Sequence, residues 1–263
     1  MKIPSGVHPV LAESAEAAWT AYRDAMARYS REERLSTSGI GGDGTPTYFL
    51  DEVVERPVLE VFENHGVNVL SEEIGWIDRG SSETIVVDPL DGTANAAAGV
   101  PLACFCAARV VDGVAVEGLA LWLDGNRIWW AKNDTTIKKT TTKRATLDGA
   151  AVSMLRPRPE TFDAWCRVAR RIDRVRVLGS SVLEACLVAD GAIDAFCDAG
   201  GDIHRIVDLA AVDLIVKAAG GVLIDLHGRA LTFEPDLSLR WSGIVAATPQ
   251  LAEELRSELL RSN

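Results

Sequence analysis

Two apolar segments of this chain end in acidic residues, and this pairing constrains the fold more than any other feature. VNVLSEE at residues 67–73 and TIVVDPLDGT at residues 84–93 both begin with apolar residues and finish in carboxylates. Short apolar runs rich in β-branched residues predict buried strands. Open sheets usually bind ligands at the carboxyl ends of their strands. The two segments therefore predict a sheet that carries an acidic site at one edge.

The N-terminal half alternates between helical and extended patterns. Apolar residues at three- and four-residue spacings predict a helix over residues 10–29 and a second helix over residues 48–64, with a kink at Pro57. The glycine-rich stretch at 36–47 predicts an irregular surface segment. Turn signals within residues 102–133 predict antiparallel strands joined by tight turns.

The C-terminal half has a β/α pattern. Strands are expected at 151–155, 174–178, 193–198, 222–226 and 243–247, and helices at 160–171, 181–190, 206–219 and 248–261. The basic segment at 135–146 is interpreted as a solvated edge strand, where lysine discourages aggregation. We expect an α/β (α+β) fold with two halves, 1–148 and 149–263, packed as one compact unit.

Composition excludes several classes of protein. A net charge of −11 and a pI near 4.9 argue against a nucleic-acid partner, so an anionic substrate needs metal ions as intermediaries. The five cysteines lack the spacing of a zinc site or a disulfide framework and are interpreted as core residues in a reducing cytosol. The N-terminus has no signal-peptide pattern, and no apolar run is long enough to span a bilayer. We therefore expect a cytoplasmic protein without a membrane partner.

The motif DPLDGT at residues 88–93 carries the most chemical information. Asp88 and Asp91 supply the hard oxygen ligands that Mg²⁺ prefers, and the backbone N–H groups of Gly92 and Thr93 can hold a phosphate where a helix begins. The haloacid dehalogenase family has a similar DxDGT motif, but here Pro89 occupies its nucleophile position. That phosphatase class is therefore excluded, and a plain surface turn does not explain the second acidic group at residues 71–73.

Three blocks of the sequence resemble the signature motifs of the inositol monophosphatase family of lithium-sensitive phosphatases. They are LSEEIG at 70–75, VVDPLDGT at 86–93 and RIVDLAA at 205–211. The segments at 41–47 and 179–198 look most like the archaeal-type branch, which acts on inositol monophosphate and fructose 1,6-bisphosphate. The resemblance implies a layered α/β/α/β/α sandwich and a homodimer.

The resemblance also implies a Mg²⁺ site with two or three ions. By motif position, the ligands of two catalytic ions are the carboxylates of Glu72, Asp88, Asp91 and Asp208 and the carbonyl of Leu90. Thr93 and Asp51 match the pair that orients the attacking water. A third, weaker ion is expected near Asp51 and Glu72, where Asp43 either contributes a ligand or forms a turn. Taken alone, Asp208 before an apolar helix also fits a helix N-cap.

Substrate contacts are implied by the same alignment of motifs. The resemblance assigns substrate binding to Asp91 and contacts with phosphate or sugar oxygens to Gly92, Thr93 and Ser180. It also implies that Asp198 binds substrate hydroxyls and that Arg176 binds a second phosphate. His204 and His227 are interpreted as structural.

Two departures from the animal enzymes leave the substrate open. The early loop has glycines and Asp43 where those enzymes carry a lysine, and Val207 replaces a tryptophan before the last metal-binding aspartate. We therefore expect a phosphomonoesterase that acts on inositol 1-phosphate or fructose 1,6-bisphosphate. The alternatives are a 3′-phosphonucleotide phosphatase of the same superfamily and a catalytically silent metal-binding protein.

Overall fold

A computed structural model describes residues 1–42, 44–133, 135 and 139–261 of the chain. The prediction for Asp43 falls outside these residues, as does part of the basic segment at 135–146. In chain order the strands are β1 Thr37–Ile40, β2 Pro46–Tyr48, β3 Asn68–Ser71, β4 Gly75–Ile77, β5 Glu83–Asp91, β6 Cys104–Val111, β7 Val114–Trp122, β8 Arg127–Lys132, β9 Ala151–Met154, β10 Arg174–Arg176, β11 Ala195–Cys197, β12 Val222–Asp225 and β13 Gly243–Ala246. The α-helices are α1 Pro9–Arg28, α2 Arg31–Leu35, α3 Phe49–His65, α4 Thr93–Ala98, α5 Phe162–Ala169, α6 Ser181–Ala189, α7 Ile206–Ala218 and α8 Pro249–Leu260, and a 3₁₀ turn covers Pro159–Thr161.

Two sheets form the framework of the fold. The first has six strands in the order β4-β3-β5-β6-β7-β8, in which only β3 and β5 are parallel. The second has five strands in the order β10-β9-β11-β13-β12, with β9 parallel to both β10 and β11. All strands of the first sheet precede residue 148 and all strands of the second follow it.

Helices cover both faces of each sheet. One apolar core lies between α1, α3 and the first sheet, and a second lies between that sheet, α6, α7 and the second sheet. A third core joins the far face of the second sheet to α5 and α8. The result is the expected α/β/α/β/α sandwich, and it places the first turn of α7 against the carboxyl end of β5.

The two faces of strand β5 pack into different hydrophobic cores. Ile85 and Val87 pack toward α1 and α3, whereas Val86 packs toward α6 and α7, because successive side chains on a strand point to opposite faces. Asp88 follows this alternation toward α7. The register with β6 is irregular between Asp88 and Asp91 and pairing resumes at Asp91, so the motif begins at a bulge at the end of the strand.

Several local predictions are confirmed, and others are wrong. Helices α1 and α3 lie where periodicity places them, and α3 continues through Pro57. The segment at 36–47 is not wholly irregular, because β1 and β2 pair there as a short antiparallel hairpin. The short helix α2 and the edge strand β4 had no predicted counterpart. Both are too short for a periodic pattern to reveal them.

The predicted edge strand at 135–146 is not found in the described residues of that segment. Residues 139–146 connect the two halves without strand pairing. The Thr140 hydroxyl donates to the Ala189 carbonyl at 2.6 Å, and the Thr142 hydroxyl donates to Asp194 at 2.6 Å. Side-chain bonds to neighbouring elements therefore replace a strand ladder. Among the described helices, none combines the length and the apolar character needed to cross a bilayer.

Candidate active site

Four carboxylates converge where β3, β5 and α7 meet. Asp88, Asp91 and Asp208 each offer a carboxylate oxygen, and these oxygens lie within 4.8 Å of one another. Glu72 follows β3 and lines the same cavity of about 260 Å³. We call Glu72, Asp88, Asp91 and Asp208 the carboxylate cluster. The structure thus brings together four residues that lie up to 136 positions apart in the sequence, from 72 to 208.

Burial leaves the carboxylate cluster short of compensating positive charge. In the metal-free protein, burial and the neighbouring carboxylates raise the pKa of Glu72 to about 7. Burial likewise raises the pKa of Asp91 to about 7, and it raises that of Asp88 well above its usual range. Carboxylates crowded in a buried site hold protons tightly, because a second negative charge nearby is unfavourable. Such a site has a strong electrostatic preference for a cation.

Arg205 is a site residue that the sequence patterns did not single out. Its Nη2 lies 2.6 Å from Glu72 Oε1, and its Nε lies 3.6 Å from Asp208 Oδ2. The backbone N–H of Arg205 also donates to Asp208 Oδ2 at 2.6 Å, which caps the start of α7. Asp208 is therefore the third residue of the helix rather than its N-cap. Its carboxylate both caps the start of α7 and lines the cavity. No sequence signal identified Arg205, since its partner Glu72 is distant in the chain.

Thr93 and Asp51 are in direct contact. The Thr93 hydroxyl lies 2.7 Å from Asp51 Oδ1 and 2.8 Å from the Leu90 carbonyl oxygen. The other carboxylate oxygen of Asp51 accepts the backbone N–H of Tyr48 at 2.9 Å, which fixes the side chain at the start of α3. Burial raises the pKa of Asp51 to about 8. A buried carboxyl with high proton affinity therefore lies behind the hydroxyl that faces the cavity.

Gly92 makes the turn into α4 possible. Its φ is +83°, in the left-handed region, and a Cβ at this position would lie 2.6 Å from the Leu102 carbonyl oxygen. Only glycine tolerates both the conformation and the close approach. Leu90, Gly92 and Thr93 all line the cavity. The loop after β5 therefore presents a backbone carbonyl and the start of a helix to the same space as the carboxylates.

Asp91 is held by the first turn of α6. Its Oδ1 accepts the N–H of Ser181 at 3.1 Å, and its Oδ2 accepts the N–H of Val182 at 2.9 Å as well as the hydroxyl of Ser180. The start of a helix favours a negative charge, so α6 orients this carboxylate. Ser180 contacts the site through Asp91 and is itself buried, with 1% of its surface exposed.

Two buried glutamates support the loops that carry these groups, and no motif pointed to them. A single oxygen of Glu55, Oε1, accepts the Ser71 hydroxyl at 2.5 Å and the Ile74 N–H at 3.2 Å, on either side of Glu72. Glu184 accepts the N–H groups of Leu178 and Ser180, both at 3.2 Å. Glu55 lies one helical turn after Asp51 on α3, a spacing that would have indicated a shared face.

Other predicted residues lie apart from the cavity wall. Asp198 is buried, and its carboxylate accepts the N–H groups of Gly201 and Ile203 and the hydroxyl of Ser242. Arg176 ends the edge strand β10, three residues before Gly179, which does line the cavity. The two predicted structural histidines differ, since His204 is buried and His227 is exposed.

The donor set fits a hard divalent cation. Carboxylate and carbonyl oxygens are the ligands that Mg²⁺ takes in proteins, and no thiol or imidazole is among the described residues lining the cavity. Burial and the neighbouring carboxylates raise the pKa values of Glu72, Asp88 and Asp91, so the cluster favours a positive charge beside it. The residues therefore match a metal site in both ligand type and electrostatics.

Comparison with known proteins places the chain in a family. Residues 7–263 match the family model described as the inositol monophosphatase family. A fructose-1,6-bisphosphatase/inositol-1-monophosphatase of Thermococcus kodakarensis is 34% identical over 76% of this chain and 77% of its own length. A histidinol-phosphatase of Mycobacterium tuberculosis is 32% identical over 72% of this chain and 77% of its own length. A crystal structure titled inositol monophosphatase–fructose 1,6-bisphosphatase superposes with a TM-score of 0.82 at 26% identity, covering 95% of this chain and 98% of that one.

The chain belongs to the inositol monophosphatase family. It is a phosphoric monoester hydrolase of that family's type, and the resemblance drawn from the three sequence blocks is confirmed over nearly the whole chain. The predicted fold is confirmed by the same comparison.

Proposed function

We propose that the protein is a Mg²⁺-dependent phosphomonoesterase that hydrolyses a small sugar or inositol phosphate, inositol 1-phosphate and/or fructose 1,6-bisphosphate. The observation that carries the proposal is the carboxylate cluster, with three aspartate oxygens within 4.8 Å of one another beside the start of α4. Glu72, Asp88, Asp91, Asp208 and the Leu90 carbonyl would hold two Mg²⁺ ions, and a third would bind near Asp51. When bound, these ions neutralise the phosphate and lower the pKa of a bound water.

The role of Thr93 and Asp51 follows from their hydrogen bond. When the Thr93 hydroxyl donates to Asp51 Oδ1, the lone pairs of Thr93 Oγ1 are free to accept a proton of the attacking water. As water attacks phosphorus, its proton passes to Thr93 Oγ1 while the proton of Thr93 passes to Asp51 Oδ1. The transfer requires the ionised form of Asp51, and its raised pKa of about 8 lies near the range in which a general base is most effective.

Substrate contacts are proposed for the residues around the start of α4. Gly92 and Thr93 line the cavity and would contact phosphate oxygens, with Asp91 and Ser180 beside them. Asp198 would bind substrate hydroxyls and Arg176 would bind a second phosphate. Each lies at the start of a loop, 199–203 for Asp198 and 177–179 for Arg176.

Two alternatives are less well supported. A nucleotide phosphatase needs a flat apolar or aromatic slot for a base, but no aromatic side chain is among the described residues that line the cavity of about 260 Å³. A silent metal-binding protein has no need of a Thr93–Asp51 pair beside the carboxylates. The relatives of similar identity act on different phosphate esters by name, so identity alone does not select a substrate.

We further propose a homodimeric cytoplasmic enzyme whose halves, 1–148 and 149–263, form one phosphatase unit. Among the described strands, β10 lies at the edge of its sheet and pairs on one side. Val175 within it and Val177 just after it are 39% and 48% exposed, which favours a subunit contact there. The five cysteines are free thiols and four are buried, which suits a reducing compartment.

Phosphate release from a panel of esters tests the proposal. Inositol 1-phosphate, fructose 1,6-bisphosphate, histidinol phosphate and a 3′-phosphonucleotide would each be assayed with Mg²⁺, with EDTA and with Mg²⁺ plus Li⁺. We expect hydrolysis of one of the first two esters to require Mg²⁺ and to fall with Li⁺. Full activity in EDTA would contradict the mechanism, and preference for either of the last two esters would contradict the substrate class.

A further inference from the structure

Arg205 contacts two members of the carboxylate cluster at once. Among the described residues that line the cavity, it is the one that carries a positive charge. Its guanidinium is bonded to Glu72 at 2.6 Å and lies 3.6 Å from Asp208, and its side chain is 15% exposed. A charge pair this close and this shielded interacts far more strongly than an exposed pair.

The backbone holds this arginine where it is. Its own N–H donates to Asp208 Oδ2 at 2.6 Å, so the residue is fixed to the first turn of α7 before the side chain extends toward Glu72. The guanidinium thus reaches the cluster from a rigid helix start. The Arg205 side chain is therefore an ordered part of the cavity wall.

The ion pair involves an oxygen of a proposed metal ligand. Glu72 Oε1 is bonded to the Arg205 guanidinium, and the Glu72 side chain also bonds Asp88 within the carboxylate cluster. A cation and a guanidinium also repel each other across the few ångströms of this small cavity. Metal binding and the ion pair therefore cannot both be at full strength.

We propose that Arg205 is an internal counter-ion that competes with the metal for the negative charge of Glu72, so that metal binding and the Arg205–Glu72 ion pair weaken each other. The inference rests on the proposed function, because it requires a metal at the carboxylate cluster. It has two linked consequences. Arg205 stabilises the metal-free fold by compensating buried negative charge, and it weakens metal binding by the same interaction.

Calorimetric titration of the metal-free protein with MgCl₂, together with thermal unfolding in EDTA, tests the proposal. In Arg205→Gln the competitor is removed, so the Kd for Mg²⁺ should fall by roughly tenfold, as expected for losing one close charge pair. The Tm in EDTA should fall, and the rise in Tm on adding Mg²⁺ should be larger than in the wild type. The matched control is Arg109→Gln, since Arg109 is 20% exposed and bonded to Glu83 at 2.8 Å in another part of the first sheet. Its Kd for Mg²⁺ should equal that of the wild type.

Arg205→Lys provides a second test if the glutamine variant does not fold without metal. Lysine keeps the charge but loses the planar fork that reaches both carboxylates, so the Kd should fall by a smaller factor, roughly threefold. Unchanged or weaker Mg²⁺ binding in the variants that fold would overturn the proposal and show that Arg205 instead positions Glu72. Absence of Mg²⁺ binding in the wild type would overturn the metal site itself, so the two failures are distinguishable.

Discussion

Two acidic groups in this protein have opposite electrostatic character. One is the carboxylate cluster at the ends of β3 and β5. The other, which we call the Arg229 network, lies at the end of β12 and consists of Asp198, Asp202, Asp225, Arg229 and Ser242. Asp88 and Asp225 both have little exposed surface, 3% and 6%, although Asp88 lies deeper in the protein. Burial raises the pKa of both groups, so burial does not explain why the pKa of Asp225 is lowered.

The hydrogen-bond partners of the two carboxylates explain why their pKa values shift in opposite directions. Burial raises the pKa of Asp225, but the hydrogen bonds from Arg229 and from backbone N–H groups outweigh burial, and the pKa is lowered. Asp225 accepts the N–H groups of His227 and Ser242 at 3.0 Å and two guanidinium N–H groups at 2.8 and 2.7 Å. In the carboxylate cluster, Arg205 compensates Glu72 and approaches Asp208, and the pKa of Asp88 stays high.

The comparison separates a group that stabilises the fold from a group kept available for a ligand. A carboxylate with all its partners within the chain has no need of an ion. A cluster that holds protons because its charges are uncompensated is destabilising until a cation arrives. Aspartate side chains therefore stabilise the fold in the Arg229 network and, by our proposal, support catalysis in the carboxylate cluster. Four predictions test this distinction.

The largest effect should come from Asp88→Asn. By our proposal Asp88 is a metal ligand, and losing it should lower kcat by about 10²–10³-fold or more, the range for removing a group that stabilises developing charge. The Tm in EDTA should be unchanged or higher, because one crowded charge is gone. Mg²⁺-dependent phosphate release and thermal unfolding measure the two effects.

The matched variant in the Arg229 network is Asp225→Asn. It should lose about 2 kcal/mol of stability, because charge-assisted bonds to Arg229 are weakened, while its kcat changes far less than that of Asp88→Asn. If Asp88→Asn were the less stable of the two in EDTA, the contrast between the clusters would be wrong.

The second prediction concerns the pair that faces the water. Thr93→Val or Asp51→Asn should lower kcat by roughly 10²-fold or more with little change in KM, because a positioned proton acceptor acts mainly in the transition state. The double variant should lose barely more than the worse single variant, since the two act as a unit. Steady-state kinetics at several Mg²⁺ concentrations measures this.

Rescue by Mg²⁺ distinguishes the two roles of Asp51. If it binds a third, weak ion, high Mg²⁺ should partly restore Asp51→Asn but not Thr93→Val. Near-wild-type kcat in both variants would show that the water is activated elsewhere.

The third prediction uses pH. Glu72 and Asp91 have a pKa of about 7 in the metal-free fold, above their ordinary values, so they bind protons that a metal must displace. The Kd for Mg²⁺ should therefore rise by roughly tenfold for each of the two groups, or roughly a hundredfold in all, between pH 8 and pH 6. Calorimetry in two buffers measures the proton release. The stability that these two groups contribute to the metal-free protein should be lost as pH rises toward 7 and above.

The Arg229 network should respond at the other end of the pH scale. The pKa values of Asp202 and Asp225 are lowered, so their contribution is present above the unfolded pKa of about 3.9 and is lost as pH falls below it. Unfolding curves in EDTA from pH 3 to pH 9 follow both groups. If the Kd for Mg²⁺ did not vary between pH 6 and pH 8, the carboxylate cluster would not bind the extra protons that distinguish it from the Arg229 network.

The smallest effect should come from Glu55, which supports the turn that carries Glu72. Glu55→Gln keeps an oxygen that can accept the Ser71 hydroxyl and the Ile74 N–H, so its Kd for Mg²⁺ should stay close to that of the wild type. Glu55→Leu leaves both donors without this acceptor and should raise that Kd by a few-fold, because unsatisfied buried donors cost about 1–3 kcal/mol and favour a rearranged turn. Equal Mg²⁺ binding in both variants would show that Glu55 does not position Glu72.

The sequence by itself determined the class of fold and the acidic motifs. Apolar periodicity predicted α1, α3 and most later elements within a few residues, because each pattern is local and long enough to repeat. The three motif blocks identified the family and named all four carboxylates of the cluster. The short elements α2 and β4, and the hairpin of β1 and β2, were missed because so few residues carry no periodic signal.

Only the tertiary structure decided which charges compensate one another. Arg205 and Glu72 are 133 positions apart from 72 to 205, and Glu55 reaches both sides of Glu72 from another helix. A pKa depends on burial and on neighbours within a few ångströms, and chain folding sets both. The sequence could therefore show that acidic residues end β3 and β5, but not that the pKa of Asp88 stays high while hydrogen bonds from Arg229 lower that of Asp225.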